Sequence, residues 1–508
     1  MKTLTDIDQL LNWLREHAPQ AKLTTDSRSV SVGDVFFALT VPGGRGDGRD
    51  FISNAIERGA AAVVFAAEGA SVTALSVPAI GFEGLHQQLG EIANAWFNNI
   101  QAEMFTVAIT GTNGKTSCSQ WIARALSMTG TSCTVVGTLG VGTYREGTLS
   151  ALHETGFTTP DALQLQERLA DSYARGARAL AIEASSIGLH QGRLNGLHFD
   201  VAVFTNLTRD HLDYHGTMEA YAAAKAQLFA WPGLQTAIIN IDDEFGLELV
   251  QQIQNQGNAT KILACTLDPQ LSSNADILRA SQLRSTHAGT SFFAESPYGQ
   301  GVVKTQLIGR FNVSNTLATL AVLLARGVEW DKAVSVIEKL SSVQGRMQQL
   351  GTPGQAMVVV DYAHTPDALQ KTLETLQEVA QERHGELWCV FGCGGDRDPG
   401  KRPQMGKISQ LAQHVVVTSD NPRTEDAAKI ILDIIGGMDG TPTTIEDRAS
   451  AILYAVKHAG VNDVILIAGK GHETYQDING KKWPFSDEEH ARLALATVAT
   501  NNTMRRSS

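Results

Sequence analysis

The chain has few cysteines, no long apolar run and no excess of basic charge. Its five cysteines (118, 133, 265, 389 and 393) are scattered and odd in number, which excludes a disulfide framework and fits a reducing cytoplasm. Cys389 and Cys393 are spaced CxxxC without a second Cys/His pair, so they read as structural rather than zinc ligands. No apolar stretch approaches the ~20 residues that a membrane span needs. The opening MKTLTDIDQLLNWLREH carries acidic residues where a secretory leader has an apolar core. A formal net charge of −12 excludes broad, non-specific nucleic-acid binding, so an anionic ligand must be held by local Lys, Arg and backbone N–H groups. Neither an internal repeat nor a low-complexity tract is present.

What is present is ordinary globular material. The chain has 508 residues, 43% of them hydrophobic, enough for roughly two to four domains. The most informative stretch is GTNGKT at 111–116. It follows the apolar run Phe105–Ile109 and precedes a helix-like segment over Ser117–Leu126. A strand feeding a glycine loop and then a helix is the layout of a phosphate cradle. Gly111 and Gly114 allow the backbone N–H groups to face anionic oxygens, and the helix N-terminus adds partial positive charge. Lys115 can reach the outer phosphates, and the Thr116 hydroxyl can ligate magnesium. The loop is shorter than GxxxxGK[ST].

Three α/β units are expected: a small one over 1–100, a P-loop unit with a mostly parallel sheet over 101–340, and a third over 341–508. In the second, Ala179–Ile182, Val201–Thr205 and Ala237–Asn240 read as strands. In the third, Met357–Val360, Leu387–Phe391, Val415–Thr418 and Val464–Ala468 each run into polar residues. Open α/β sheets bind ligands beyond the carboxyl ends of their strands. That rule draws attention to Asp361, Arg397, the run Asp420-Asn421-Pro422-Arg423, Gly469 and Glu473. It also singles out Glu183, either a magnesium ligand beside Thr116 or an exposed strand-end acid, and the loop holding Asp210, His211 and Asp213. Lys225, in the alanine-rich YAAAKAQLF, reads from spacing alone as a solvated lysine. Arg346, Arg397 and Arg423 carry planar forks suited to carboxylates and phosphates.

GTNGKT, NLTRDHLDYHGT, YAAAKAQLF, GRMQ, DYAHTPDAL, FGCGGDRDPGKRP, DNPRTE and AGKGHE occur in this order along the chain. Together they resemble the Mur ligases of peptidoglycan synthesis, over essentially the whole length. The resemblance implies a UDP-binding N-terminal domain, a central ATPase and a Rossmann-like C-terminal domain. It implies an ATP-dependent ligase acting as a monomer on UDP-N-acetylmuramoyl-L-Ala-D-Glu, with neither nucleic acid nor membrane as partner. Thr25-Asp26-Ser27-Arg28 and the glycine loop at 42–46 would hold the uridine diphosphate. Thr158, Thr159, Ser185, Gln191 and Arg193 would contact the muramoyl dipeptide. Gly111, Thr112, Asn113, Gly114, Lys115, Thr116 and Ser117 would cradle ATP, with Asn312 and Asn315 near adenine, Arg346 near the phosphates and Asp361 near the ribose. Thr116 and Glu183 would bind one Mg2+. His211 and Lys225 would serve a second, Lys225 as a carbamate, because a bare ammonium cannot ligate a cation. Arg397, Asp420, Asn421, Pro422, Arg423, Gly469 and Glu473 would hold the incoming amino acid.

In this family DNPR is associated with meso-diaminopimelate, and Arg423 suits its far carboxylate. One departure is Ile187, where many relatives have a histidine; no role of that histidine carries over. The rival readings are a lysine-adding sister enzyme, a folylpolyglutamate synthase-like ligase, and a P-loop binding protein without ligase activity. A GTPase is disfavoured because no Asn-Lys-x-Asp guanine-reading motif is present.

Overall fold

A computed structural model describes residues 2–40, 46–70, 72, 75–153, 155–257, 259–286, 288–352 and 354–506, with side chains to 499. Of the glycine loop at 42–46, all but Gly46 lies outside the described residues. Three sheets organise the chain, of 5, 11 and 6 strands among the described residues.

The N-terminal sheet is parallel throughout, in the order Thr3–Leu4, Ala79–Phe82, Ala62–Ala66, Val35–Ala38, Leu23–Thr24. The middle of the 11-stranded sheet is also parallel, from Asp276–Thr286 at one side to Cys133–Gly137 at the other. Antiparallel hairpin strands extend both edges: Gly289–Ser296 and Gly299–Thr305 on one, Gly140–Arg145 and Thr148–Leu149 on the other. Apolar cores cover both faces of this sheet. On one, Ile122 and Leu126 of the helix Lys115–Met128 meet Leu317 and Leu320 of Arg310–Ala325. On the other, Leu165 and Leu169 meet Phe199 and Phe204. Burial on both faces explains why these strands read as continuous apolar runs.

The C-terminal sheet runs parallel in the order Met357–Asp361, Val464–Ala468, Leu387–Phe391, His414–Val417, Thr443–Thr444, with Gln348–Leu350 antiparallel at its edge. The small hairpin Tyr475–Ile478 with Lys481–Pro484 stands apart from this sheet.

Register positions the site. Ala179–Glu183 pairs in parallel with Phe105–Thr110 so that Glu183 lies opposite Ile109. On the other side, Phe204 of Val201–Phe204 lies opposite Thr110. The loop that begins at Gly111 is therefore flanked by Glu183 on one side and Thr205-Asn206 on the other.

Candidate functional site

The P-loop turns on two glycines. Gly111 has φ +145°, and a Cβ there would overlap the Thr205 hydroxyl. Gly114, at φ +89°, caps the helix Lys115–Met128 and packs against the Asn315 amide. Neighbouring loops hold the turn: the Asn113 N–H donates to Asn206 Oδ1 (2.9 Å), and Thr112 N–H donates to the Asn206 carbonyl (2.8 Å). Lys115 Nζ donates to the carbonyls of Gly111 (2.7 Å) and Thr112 (2.8 Å). Burial pushes the Lys115 pKa down, with Glu183 and Asp210 opposing.

Glu183 is 1% exposed, so the exposed strand-end reading is overturned. Its Oε2 accepts from Thr116 Oγ1 and from Thr138 Oγ1, both at 3.1 Å, and its Oε1 accepts the Thr138 N–H at 2.9 Å. Arg346 Nη2 donates to Thr116 Oγ1 (3.2 Å), and the guanidinium lies 4.5 Å over the Tyr362 ring. The buried Arg346 Nε–H meets no acceptor among the described residues.

Lys225 corrects the solvated-lysine reading from spacing. It is 1% exposed, because the helix Met218–Ala226, capped by Thr217, turns it inward beside Tyr221. Lys225 Nζ sits 4.2 Å from the centroid of that ring, whose hydroxyl is 3.1 Å from Thr112 Oγ1. Burial holds the Lys225 pKa well below the usual lysine range, and Lys115 adds to the effect. His211 packs edge-on to the same Tyr221 ring, with centroids 6.0 Å apart. Its backbone is left-handed at φ 53°, and its Nε2 lies 3.6 Å from Asp210 Oδ2. Burial lowers the His211 pKa, and Asp210 opposes.

These groups line one cleft of about 800 Å³ between the central and C-terminal domains. Thr112 to Ser117, Glu183, His211, Lys225, Asn312, Asn315, Arg346 and Asp361 are all part of its wall. So are Thr158, Thr159, Ser185 and Arg193, together with Ile187. Ser185 caps the helix Ser186–His190, and its hydroxyl is 2.9 Å from that of Thr159. Arg193 donates to the Thr159 carbonyl (2.8 Å) and lies 4.7 Å over Phe157, while Gln191 Oε1 accepts from Arg193. Both Asp361 oxygens accept backbone N–H groups, from Met347 (2.7 Å) and Ala363 (2.9 Å). Asn312 Nδ2 donates to the Ile308 carbonyl (2.9 Å).

The DNPR residues gather outside that wall, at the carboxyl edge of the C-terminal sheet. Asn421 Nδ2 donates to Glu473 Oε2 (2.8 Å). Gly469, at φ +117°, packs against the Asp420 carboxylate. Arg423, at φ 51°, donates through Nη1 to the Gly395 carbonyl (2.5 Å). Pro422 is buried, and Arg397 is exposed on its loop. Ser27 is buried in the turn Ser27–Ser29, which Asp26 caps; the paired Arg28 holds the Asp26 carboxyl below the usual range despite burial.

Among the described residues no three His, Cys, Asp or Glu side chains form a preformed metal cage. The donors that do adjoin are Thr116 Oγ1 and the Glu183 carboxylate, hard oxygens of the kind magnesium takes when phosphates and water complete its shell. Three positions were given no role in the sequence reading. Thr138 follows the strand Cys133–Gly137, Tyr221 precedes Lys225 by one helical turn, and Lys470 lies buried within AGKGHE. The strand-end rule and the i,i+4 spacing were the available signals for the first two.

Three family models match the chain: "Mur ligase family, catalytic domain" at 21–97, "Mur ligase middle domain" at 109–323 and "Mur ligase, glutamate ligase domain" at 345–471. A UDP-N-acetylmuramoyl-L-alanyl-D-glutamate–2,6-diaminopimelate ligase from Janthinobacterium sp. strain Marseille is 55% identical over 97% of this chain and 98% of its own length. A solved structure of a ligase of the same name is 39% identical, with TM-score 0.65 and 94% of each chain covered. The fold is shared more distantly with a MurF ligase from Thermotoga maritima solved in complex with ADP, at 18% identity and TM-score 0.63, over 95% of this chain and 98% of that one. With its P-loop cleft, its three α/β units and these matches across nearly its full length, the chain belongs to the Mur ligase family.

Proposed function

We propose that the chain is an ATP-dependent amide-bond ligase that adds meso-2,6-diaminopimelate to UDP-N-acetylmuramoyl-L-Ala-D-Glu, a cytoplasmic step of peptidoglycan precursor synthesis. The observation that carries this reading is the convergence, in one cleft, of the P-loop, Arg346 and the Thr158, Thr159, Ser185 and Arg193 cluster. A nucleotide's γ-phosphate and a carboxylate substrate would meet there. The relatives' shared name supports the choice of substrates. Residues 1–100 would hold the UDP end, with Ser27 among the contacts, 101–340 the ATP, and 341–508 the acceptor. The enzyme would work as a monomer.

Arg193 and the hydroxyls of Thr158, Thr159 and Ser185 orient the dipeptide so that a carboxylate oxygen attacks the γ-phosphorus. The new O–P bond forms as the bond to ADP breaks, giving an acyl phosphate and ADP. The negative charge is spread by Lys115, by the P-loop N–H groups and by Arg346, whose unpaired Nε–H can serve a phosphate oxygen. The acceptor amine then attacks the acyl carbon, phosphate leaves with the C–O electron pair, and the amine loses a proton. Magnesium, when bound, supplies charge neutralisation at the phosphates; Thr116 and Glu183 would hold one ion, and His211 with Lys225 a second. For Lys225 the ligand would be a carbamate. Burial favours the neutral amine, which attacks carbon dioxide, forms the N–C bond and loses a proton to leave an oxygen donor. Asn421, Arg423 and Glu473 would receive diaminopimelate, with Arg423 on its far carboxylate. L-Lysine lacks that group, and a site built to pair it rejects such an analogue by ~10⁴-fold or more.

The test is phosphate release with ATP, Mg2+ and the UDP-dipeptide, comparing meso-diaminopimelate with L-lysine and weighing the product. A tripeptide product with diaminopimelate alone is expected. Equal rates with lysine would refute the acceptor assignment, and silence with both acceptors in folded, ATP-binding protein would refute the ligase reading.

A further inference from the structure

Lys470 has no exposed side-chain surface, yet it is the centre of the DNPR cluster. Its Nζ donates to Asn421 Oδ1 (2.8 Å) and to Glu473 Oε2 (3.1 Å), and lies 3.7 Å from Asp420 Oδ1. An ammonium has three protons, and three polar partners surround this one. The contacts fix more than position. Asn421 Oδ1 accepts from both Lys470 Nζ and the Asp477 N–H (2.9 Å), so the amide nitrogen must point the other way, where it donates to Glu473 Oε2 (2.8 Å). The orientation of the Asn421 amide is therefore set by Lys470 together with the Asp477 N–H, and Lys470 ties that amide to Glu473 through its second hydrogen bond.

The charges point the same way. Asp420 and Glu473 are two carboxylates around one buried cation, so the cluster carries one net negative charge, beside which Arg423 offers a positive one. A ligand with an ammonium and a carboxylate on one carbon, the far end of a diamino-diacid, matches both. Gly469, at φ +117°, and Gly471, at φ +54°, let the chain bend on either side of Lys470 so that it turns inward rather than toward the ligand.

We infer that Lys470 is a positioning residue for the acceptor amino acid: it presets Asn421, Glu473 and Asp420 for the ammonium of the incoming substrate and touches no substrate itself. The inference rests on the acceptor assignment given above. Without Lys470, two carboxylates face each other uncompensated and the Asn421 oxygen keeps only the Asp477 N–H, so acceptor binding weakens before chemistry does.

The experiment is steady-state kinetics of the full-length K470M and K470R proteins with all three substrates varied in turn, alongside thermal melting. For K470M we expect the KM for meso-diaminopimelate to rise at least 10-fold, with kcat within about threefold and the KM values for ATP and the UDP-dipeptide within about twofold. K470R retains the charge but shifts the N–H groups; it should raise the same KM several-fold and leave the other two alone, and it decides the matter if K470M does not fold. A merely structural lysine would move all three KM values or kcat together, or only the melting temperature, and either pattern overturns the inference. Unchanged acceptor KM in both variants overturns it as well. Wild-type protein that ignores diaminopimelate would instead sink the acceptor assignment on which the inference rests.

Discussion

Replacing Glu183 by glutamine separates its structural role from its proposed metal role. The side chain is fully buried and takes three hydrogen bonds, from the Thr138 N–H and the hydroxyls of Thr138 and Thr116. Glutamine has the same shape. Its Oε1 keeps the Thr138 N–H, and its NH₂ then faces two hydroxyls, each of which can rotate to accept. The weak point is Thr116, whose oxygen already accepts from Arg346 Nη2. Bonds to a charged group contribute about 1.5–3 kcal/mol and neutral ones about 0.5–1.5, so the exchange forfeits roughly 1 kcal/mol per bond, about 3 in all. Against this, the buried carboxylate no longer carries a desolvation penalty, itself several kcal/mol. The two nearly cancel, and the melting temperature of Glu183→Gln should stay within a few degrees of wild type. Its magnesium response should not. Loss of groups that merely orient metal ligands costs ~10–100-fold in metal affinity, so loss of the ligand charge should raise the half-saturating Mg2+ concentration at least that much. Phosphate release measured across a magnesium titration, beside a melting curve, tests both halves. A variant that melts normally and keeps the wild-type magnesium midpoint would refute the ligand role. A variant that unfolds would refute the cancellation.

Two further expectations concern buried bases. Lys225→Ala should lose at least ~100-fold in turnover, the scale at which removing one transition-state electrostatic contributor acts, and short carboxylates such as formate or acetate should restore part of it; no rescue, together with activity indifferent to bicarbonate, would sink the carbamate. His364 and His472 are held by burial at pKa values of about 4, against 6.5 for a free histidine. Between those values the unfolded chain binds protons that the folded chain does not, so stability falls as pH drops from about 6.5 toward 4. At 1.36 kcal/mol per pKa unit, discounted for partial exposure, each contributes roughly 1–2 kcal/mol to that fall. His364→Gln should flatten the slope in urea titrations from pH 7 to pH 4.5, and an unchanged slope would show that carboxylates dominate instead.

The parts of the site that were legible in the sequence are those tied to strand ends. A parallel sheet buried on both faces reads as short apolar runs, and its ligand edge follows wherever such a run meets polar residues. That logic reached GTNGKT, Glu183, Asp361, DNPR and AGKGHE. It did not reach the antiparallel edges at 140–149 and 289–305, because Gly299–Thr305 alternates exposed and buried positions and Gly140–Arg145, though mostly buried, is broken by two glycines, so neither reads as a continuous apolar run. Lys225 misled because a lysine among alanines looks like a solvated helix position. Instead it shares the buried face of the helix with Ala224 and with Tyr221, one turn earlier, whose ring the lysine packs beside. Lys470 was hidden for a related reason: burial of a cation depends on partners 49 and 3 residues away, which no local pattern displays.

The junction at Gly345-Arg346 ties the two halves of the proposed reaction together. Gly345, at φ +65°, lies so close to Gly471 and His472 that a Cβ would overlap their backbone, and Gly471 in turn packs on Tyr362. Arg346, the next residue, lies over that same Tyr362 ring while donating to Thr116 of the P-loop. The loop that carries Lys470 and Glu473 is therefore in van der Waals contact with the segment that presents an arginine to the phosphate site. Interiors packed at crystal density leave little room for independent movement, so a backbone shift at Gly345-Arg346 would press on the loop that holds Gly471 and His472. In the proposed reaction both steps act on the same carboxyl group at the cleft, and this backbone-on-backbone contact would link the loop that carries the acceptor residues to the segment that carries Arg346.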